Sequence, residues 1–506
     1  MIALERILPR ARIQYGSRKA LYSRWGWLSF EQLADRAFRL AAALASKGIS
    51  PGDRIAVLDN NSPEYVETYY AAVHIGAVLV PINSRLSERE LEYILCDSAP
   101  RILIVGPNHL PQLEQLRSRN VAPQTVVVIG ADVGGCISYE AEISGHAASE
   151  KSTPSKQDDI VAIYYTSGTT GEPKGVCLTH ANMSASALDV IVGLSLGRDD
   201  VWLHAAPLFH LVDAWAVWAL PLLGAAQATV HFTSEAFVAV CKNASITHAA
   251  LPPTLISLLC EQPASSLSTM KSLKRIMYGG SPMPPSVLER AKGLIPAQLS
   301  NSYGATETSG TMTLVHESTS PARTAGKPVV SAIIDIVDGD GNTLPAGEAG
   351  EIVISGTRVM AGYWNKSAAT KEAIVAGRYH TGDIGYLDSK GNLYMADRKK
   401  DMIITGGENV YSIEVEGVIA GHPAVLECAV IGVPHERWVE AVHAVAVTID
   451  GAAVTPDELI SFCRGKIAAY KIPKSIEILR APLPRSATGK IQKHEIRARY
   501  LKGAKA

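Results

Sequence analysis

Residues 164–180 read YYTSGTTGEPKGVCLTH, and the rest of the 506-residue chain can be ordered around them. The apolar run 160–165 ahead of this stretch predicts a short buried strand. Six hydroxyl or glycine residues follow without interruption: Thr166, Ser167, Gly168, Thr169, Thr170 and Gly171. Lys174 comes next, between Pro173 and Gly175. Glycines let backbone amides crowd onto an anion, and hydroxyls and a lysine add further donors. The stretch is therefore a candidate phosphate cradle, although its spacing departs from the G-x-x-x-x-G-K-[ST] loop of P-loop nucleotide hydrolases. By composition alone, an ordinary Ser/Thr/Gly surface loop accounts for it equally well.

A chain of this length is too long for one core, so two or more domains are expected. Hydrophobic residues make up 47% and charged residues 19%, the balance of a soluble globular protein. The formal net charge of −1 gives no global attraction to nucleic acid or anionic membranes. The seven cysteines are scattered and form no C-x-x-C pair, which argues against a zinc site or disulfide framework and for a reducing cytoplasm. The basic N-terminus lacks an apolar signal-peptide core. Residues 211–230 come nearest to a membrane span, but Asp213, Pro221, Gly224 and Gln227 interrupt them, so a buried globular segment and no transmembrane segment are expected.

Ser29 and Gln32 read as a capping box opening a helix whose apolar face carries Leu33, Ala37, Leu40, Ala41 and Leu44. Ser62-Pro63 and the Ser87/Glu90 pair open two more. Short strands are expected at 55–58, 77–80, 102–105 and 125–129. This alternation predicts a layered α/β domain.

Further along, His210 ends the run PLFH. Read alone, it is an ordinary core or surface histidine. Leu211, Val212 and Trp215 fit core packing as well as they fit a pocket wall. Residues 276–283, IMYGGSPM, predict a strand ending in a turn at Gly279 and Gly280. In NSYGATE, residues 301–307, Tyr303 offers an aromatic face for a purine and Thr306 a hydroxyl for a phosphate oxygen. Glu307 offers a hard oxygen ligand for Mg²⁺. Asp383 ends GRYHTGD, and its two acceptor oxygens suit a pair of hydroxyls. The charge run DRKKD at 397–401 reads by itself as a solvated turn. Lys490 ends PRSATGK and reads by itself as one basic residue on a solvated tail.

Taken together, and in this order along the chain, these motifs resemble the signatures of the adenylate-forming enzymes, in particular bacterial AMP-forming fatty and aryl acyl-CoA synthetases. The resemblance implies a large N-terminal domain of layered α/β sheets with a β-barrel-like subdomain (residues 1–399), followed by a small mobile α+β C-terminal domain (residues 400–506). It implies ATP, Mg²⁺ and CoA as cofactors and a carboxylic acid, medium- or long-chain fatty or aryl, as substrate. Residues 166–171 and Lys174 would hold the leaving pyrophosphate, and Glu307 would hold Mg²⁺. Gly279, Gly280, Ser281, Ser302, Tyr303, Gly304 and Thr306 would line the nucleotide. Asp383 and Arg398 would take the ribose, and Lys490 would be the catalytic lysine. His210 would sit beside the substrate carboxylate, with Leu211, Val212, Trp215, Gly304 and Ser309 around the acyl group. Trp215 would shorten that pocket. Lys400 would be the pivot between domains, and Gly406-Gly407 would border the pantetheine channel.

An amine, a carrier-protein thiol or oxygen is the alternative acceptor, and a homodimer is compatible with the sequence. A nucleotide-binding regulator with vestigial chemistry is disfavoured because Lys490, Glu307 and Asp383 are all present. One departure stands out: where such enzymes often have Gly-Glu after residues 434–438, this chain has Val439-Glu440.

Overall fold

A computed structural model describes residues 2–166, 172–281, 283–315, 324–398, 400–405, 408–435, 437–486 and 490–503. Among them, the strands form four sheets. The first sheet is built on parallel strands Val78–Pro81, Arg54–Leu58, Ile102–Val105 and Thr125–Val128. Apart from half-buried Arg54 and Thr125 at two strand starts, each is a short aliphatic run buried on both faces, as a helix-covered parallel sheet requires. The second sheet runs through His248–Leu251, Arg275–Gly279 and Gln298–Ala305, then reverses into antiparallel Gly310–Leu314. The third is an antiparallel sheet of Ile333–Val337, Gly350–Ser355, Arg378–Leu387 and Leu393–Arg398. The fourth begins at Ile403–Thr405 and contains the long hairpin of Val425–His435 and Val439–Thr448. A large N-terminal part of sheets and a small C-terminal α+β part are the result.

The helix starts follow from local chemistry. Ser29 and Gln32 exchange side-chain and backbone hydrogen bonds at the mouth of helix Phe30–Ser46. Ser87 and Glu90 do the same for Glu88–Ser98, and Ser62 caps Pro63–His74 with proline in its first turn. Each cap satisfies an amide that the helix leaves unpaired. Residues 211–230 contain the short helix Ala216–Leu223, deep in the core. No helix among the described residues is long and apolar enough to cross a membrane.

Strand Ile160–Thr166 pairs antiparallel with Lys174–Thr179, Thr166 opposite Lys174. Thr166 is thus the last residue of one strand and Lys174 the first residue of the strand that pairs with it, rather than part of a loop.

Val439 occupies the left-handed region, with φ +70°. A β-branched side chain is crowded against its own backbone there, whereas glycine is not. The departure noted in the sequence therefore falls on a backbone position built for glycine.

Candidate active site

The third sheet supplies one wall. Asp383 and Arg398 lie opposite each other in register, and Arg398 Nε is 3.4 Å from Asp383 Oδ1. The Tyr303 hydroxyl donates to Asp383 Oδ2 at 2.8 Å. The acceptor pair read as a ribose contact thus stands at the edge of the ring read as a purine platform. Tyr303 lies on the strand that also carries Ser302 and Gly304.

The strand Gln298–Ala305 needs its glycine for close packing. A β-carbon on Gly304 would lie 1.9 Å from the Gly310 carbonyl oxygen, and one on Gly279 would lie 2.4 Å from that of Ser302. These glycines let neighbouring strands approach. Gly280 is different: its φ is +81°, and a β-carbon there would meet only open space. Ser302 donates to the Tyr278 carbonyl, and Ser281 follows Gly280 in the same turn.

Thr306 and Glu307 lie in the 3₁₀ turn Thr306–Thr308 just after that strand. Glu307 Oε1 accepts a hydrogen bond from the Tyr363 hydroxyl at 3.0 Å, and the Lys174 ammonium sits 5.1 Å from the centre of the same ring. Tyr363 pairs with the strand Lys174–Thr179. It therefore couples the cradle's lysine to the carboxylate read as a metal ligand. No side-chain cluster among the described residues forms a closed metal site. Glu307 as a lone carboxylate fits Mg²⁺, which takes one or two carboxylates together with substrate phosphates.

The turn carrying Glu307 is anchored from beneath. Arg358 is fully buried, ion-paired to Asp189 at 2.7 Å, and donates to the carbonyls of Thr308, Ser309 and Thr311. Ser309 is also fully buried, and its hydroxyl donates to the Arg358 carbonyl. Ser309 is consequently a framework residue, not part of an acyl pocket. Trp215 is corrected in the same way. It is fully buried, its indole donates to the Val212 carbonyl, and it packs edge-on against Trp202 at 4.7 Å. A side chain without accessible surface cannot limit the length of a substrate. Leu211 is buried against Gly310, and Val212 is half-buried.

The segment leading into His210 is held by contacts the sequence did not signal. Asn61 donates to the carbonyls of His204 and Ala206 and accepts from the Leu208 amide. Tyr69 donates to the Leu208 carbonyl, so the Tyr164 hydroxyl donates to Tyr69. The strand Ile160–Thr166 and the segment leading into His210 are thereby tied together. Burial, then the charges of Arg85 and Lys490, push the His210 imidazole down to about 4, so it is neutral at pH 7.

Lys490 completes the constellation. It stands in the field of Asp383, Glu307, Arg398 and Lys400 as well as that of His210. Crowding by protein lowers its ammonium below the ordinary value; Arg398 pushes the same way, and Asp383 and Glu307 oppose it. Lys400 follows Arg398 in a turn whose amides at Asp401 and Met402 both donate to the Arg398 carbonyl. Ser167, Gly168, Thr169, Thr170 and Gly171, and Gly406 and Gly407, lie outside the described residues. Among the described residues, contacts thus join Lys174 to Glu307 through Tyr363, and Tyr303 to Asp383 and Arg398.

The family model for AMP-binding enzymes matches residues 9–364, and that for the AMP-binding enzyme C-terminal domain matches 414–490. This chain belongs to the AMP-binding enzymes. It is an adenylate-forming enzyme of the acyl-CoA synthetase type. A feruloyl-CoA synthase of Amycolatopsis sp is 36% identical over 480 residues, 94% of each chain. A long-chain-fatty-acid–CoA ligase of Mycobacterium tuberculosis (strain H37Rv) is 34% identical over 479 residues, 94% of this chain and 93% of that one. Among solved structures, an anthranilate CoA ligase in complex with anthranoyl-AMP matches with a TM-score of 0.90 at 27% identity, covering 100% of this chain and 98% of that one. An amide bond synthetase from Marinactinospora thermotolerans matches at 0.88 and 26%, covering 98% and 100%.

Proposed function

We propose that this chain activates an aryl or fatty carboxylic acid with ATP, giving acyl-AMP and pyrophosphate, and then passes the acyl group to CoA. The geometry that supports the reading best is Asp383, 2.8 Å from the Tyr303 hydroxyl and 3.4 Å from Arg398, together with Glu307 joined to Lys174 through Tyr363. Lys490 is the lysine the family signature assigns to the reaction. A carboxylate and a triphosphate repel each other, and a lysine between them offsets that repulsion where negative charges must meet. In the first step a carboxylate oxygen attacks the α-phosphorus and the bond to pyrophosphate breaks. The protein's part is positioning and charge stabilisation. Thr166 and Lys174, with residues 167–171, would hold the departing pyrophosphate. Tyr303 would stack on the purine while Asp383 and Arg398 take the ribose hydroxyls. Neutral His210 would lie beside the substrate carboxylate without adding charge. Mg²⁺, when bound through Glu307, would neutralise polyphosphate charge.

In the second step a thiol sulfur attacks the acyl carbon and AMP leaves. This requires Lys490 to withdraw, by rotation of the segment beyond Lys400 that brings Gly406-Gly407 to the cleft. The relatives named for ferulate and anthranilate support an aryl acid, and the one named for long-chain fatty acids keeps acyl chains in the same test. The likeness to an amide bond synthetase supports an amine acceptor as a second reading.

The test is pyrophosphate release over a panel of aryl and fatty acids, with and without CoA and with alkylamines, the products identified by mass. Sustained turnover that consumes CoA and yields an acyl-CoA is expected. A single burst of acyl-AMP unaffected by CoA would overturn the thiol acceptor, and absence of any acyl-AMP would overturn the adenylation reading.

A further inference from the structure

A second lysine lies three residues beyond Lys490. Lys493 opens the C-terminal helix Lys493–Gly503 and is mostly buried. Its ammonium is 2.7 Å from Glu416 Oε1 and donates to the Ser412 hydroxyl. Ser412 is fully buried, and both its hydroxyl (2.9 Å) and its amide donate to the Asp397 carboxylate. Glu416 is fixed in turn by the Val430 amide at 2.8 Å. Burial works against the charge of Lys493, yet Glu416 and then Asp397 hold its ammonium above the ordinary range, and Asp401 adds to them. Asp397 itself is 1% exposed and immediately precedes Arg398, the partner of Asp383.

This network spans Lys400. Asp397 belongs to the strand Leu393–Arg398 of the third sheet, whereas Ser412, Glu416 and Lys493 belong to the C-terminal part. The charge run at 397–401, read from sequence as a solvated turn, is thus sealed at its first residue. A buried carboxylate–hydroxyl–ammonium relay tolerates little displacement, since parting any member leaves a charge unpaired out of water.

We propose that Lys493 is a positioning residue for the adenylation step: through Ser412 and Asp397 it locks the segment bearing Lys490 against the strand bearing Arg398, and this lock must open before the thioester step. Lys493 touches no reacting atom. It acts by holding Lys490 in register with Asp383, and a displacement of about 1 Å at such a group is sufficient for a roughly hundred-fold loss. The inference rests on the two-step reading above, including rotation beyond Lys400.

The test separates the half-reactions in the full-length enzyme for Lys493→Met, Lys493→Arg and Asp397→Asn. Adenylation is read as pyrophosphate released in a single turnover without CoA. Thioester formation is read as CoA-dependent consumption of supplied feruloyl-adenylate, or of the adenylate of whichever acid the parent prefers. Lys493→Met should slow adenylation about ten- to a hundred-fold while thioester formation stays within about two-fold or accelerates. Lys493→Arg should recover most of the loss, and Asp397→Asn should shift the balance in the same direction. Equal loss in both half-reactions, or unchanged adenylation, would overturn the lock. If Lys493→Met does not fold, Asp397→Asn decides by the same ratio. Failure of the parent itself to form acyl-AMP or acyl-CoA would instead overturn the function on which the lock rests.

Discussion

Replacing Arg358 with methionine should unsettle both the large domain and the Glu307 turn. The guanidinium is fully buried, 2.7 Å from an Asp189 carboxylate that is itself 3% exposed, and it donates to three backbone carbonyls between residues 308 and 311. Methionine fills much of the same space without a charge, so the loss is chiefly electrostatic. Stranding a buried partner charge costs about 3–5 kcal/mol. The carbonyls lose donors at about 1 kcal/mol or more each unless water replaces them. Asp189 keeps the Ser331 amide and hydroxyl as donors, which offsets part of that cost. A net loss of about 4 kcal/mol is expected, a large share of the roughly 5–15 kcal/mol that holds a domain together.

Urea unfolding followed by fluorescence of the buried Trp202 and Trp215 should show the midpoint falling by roughly 1 M or more. Adenylation should fall about ten-fold or more in the folded fraction, because Glu307 rides on the released turn. Adding Asp189→Asn removes the stranded charge and should restore at least about 1 kcal/mol. A single variant within about 1 kcal/mol of the parent, or a double variant no more stable than the single, would refute the reasoning.

Three further outcomes are expected. Lys490→Ala should reduce single-turnover adenylation by about two to three orders of magnitude, with ATP affinity by equilibrium dialysis within a few-fold of the parent. Val439→Gly should raise stability by about 1 kcal/mol, since relief of a positive φ at an exposed β-branched residue exceeds the entropy of glycine; a differential scan of the purified protein reads the shift. His210 is held near 4 in the fold against about 6.5 in an unfolded chain. The unfolded chain therefore binds the extra proton between those values, and stability is full above about pH 6.5 and declines as pH falls toward 4. His210→Asn should flatten part of that slope in urea titrations from pH 4 to 7, and an unchanged slope would show that the imidazole is not depressed.

The helix starts were legible because they depend on neighbours three residues apart: Ser29 with Gln32, Ser62 with Pro63, Ser87 with Glu90. The strands were legible because short aliphatic runs can only be buried. The motifs carrying Tyr303, Glu307, Asp383, Arg398 and Lys490 were legible because each is a compact string of unusual composition in a fixed order. The local view also misled. It offered Trp215 and Ser309 as pocket walls, and it gave no sign that Gly279 and Gly304 are needed for strand packing. The first pair is sealed in the framework, and the second makes room for adjacent strands.

Sequence by itself determined the family, the chemistry of the side chains on offer and the order in which the chain presents them. Only the tertiary structure decided which of them meet. Arg358 and Asp189 stand 169 residues apart, Tyr303 and Asp383 80 apart, and Lys493 and Ser412 81 apart. No local pattern encodes such pairs, because their energy comes from exclusion of water, and which groups lose water together is settled only when the sheets close over them.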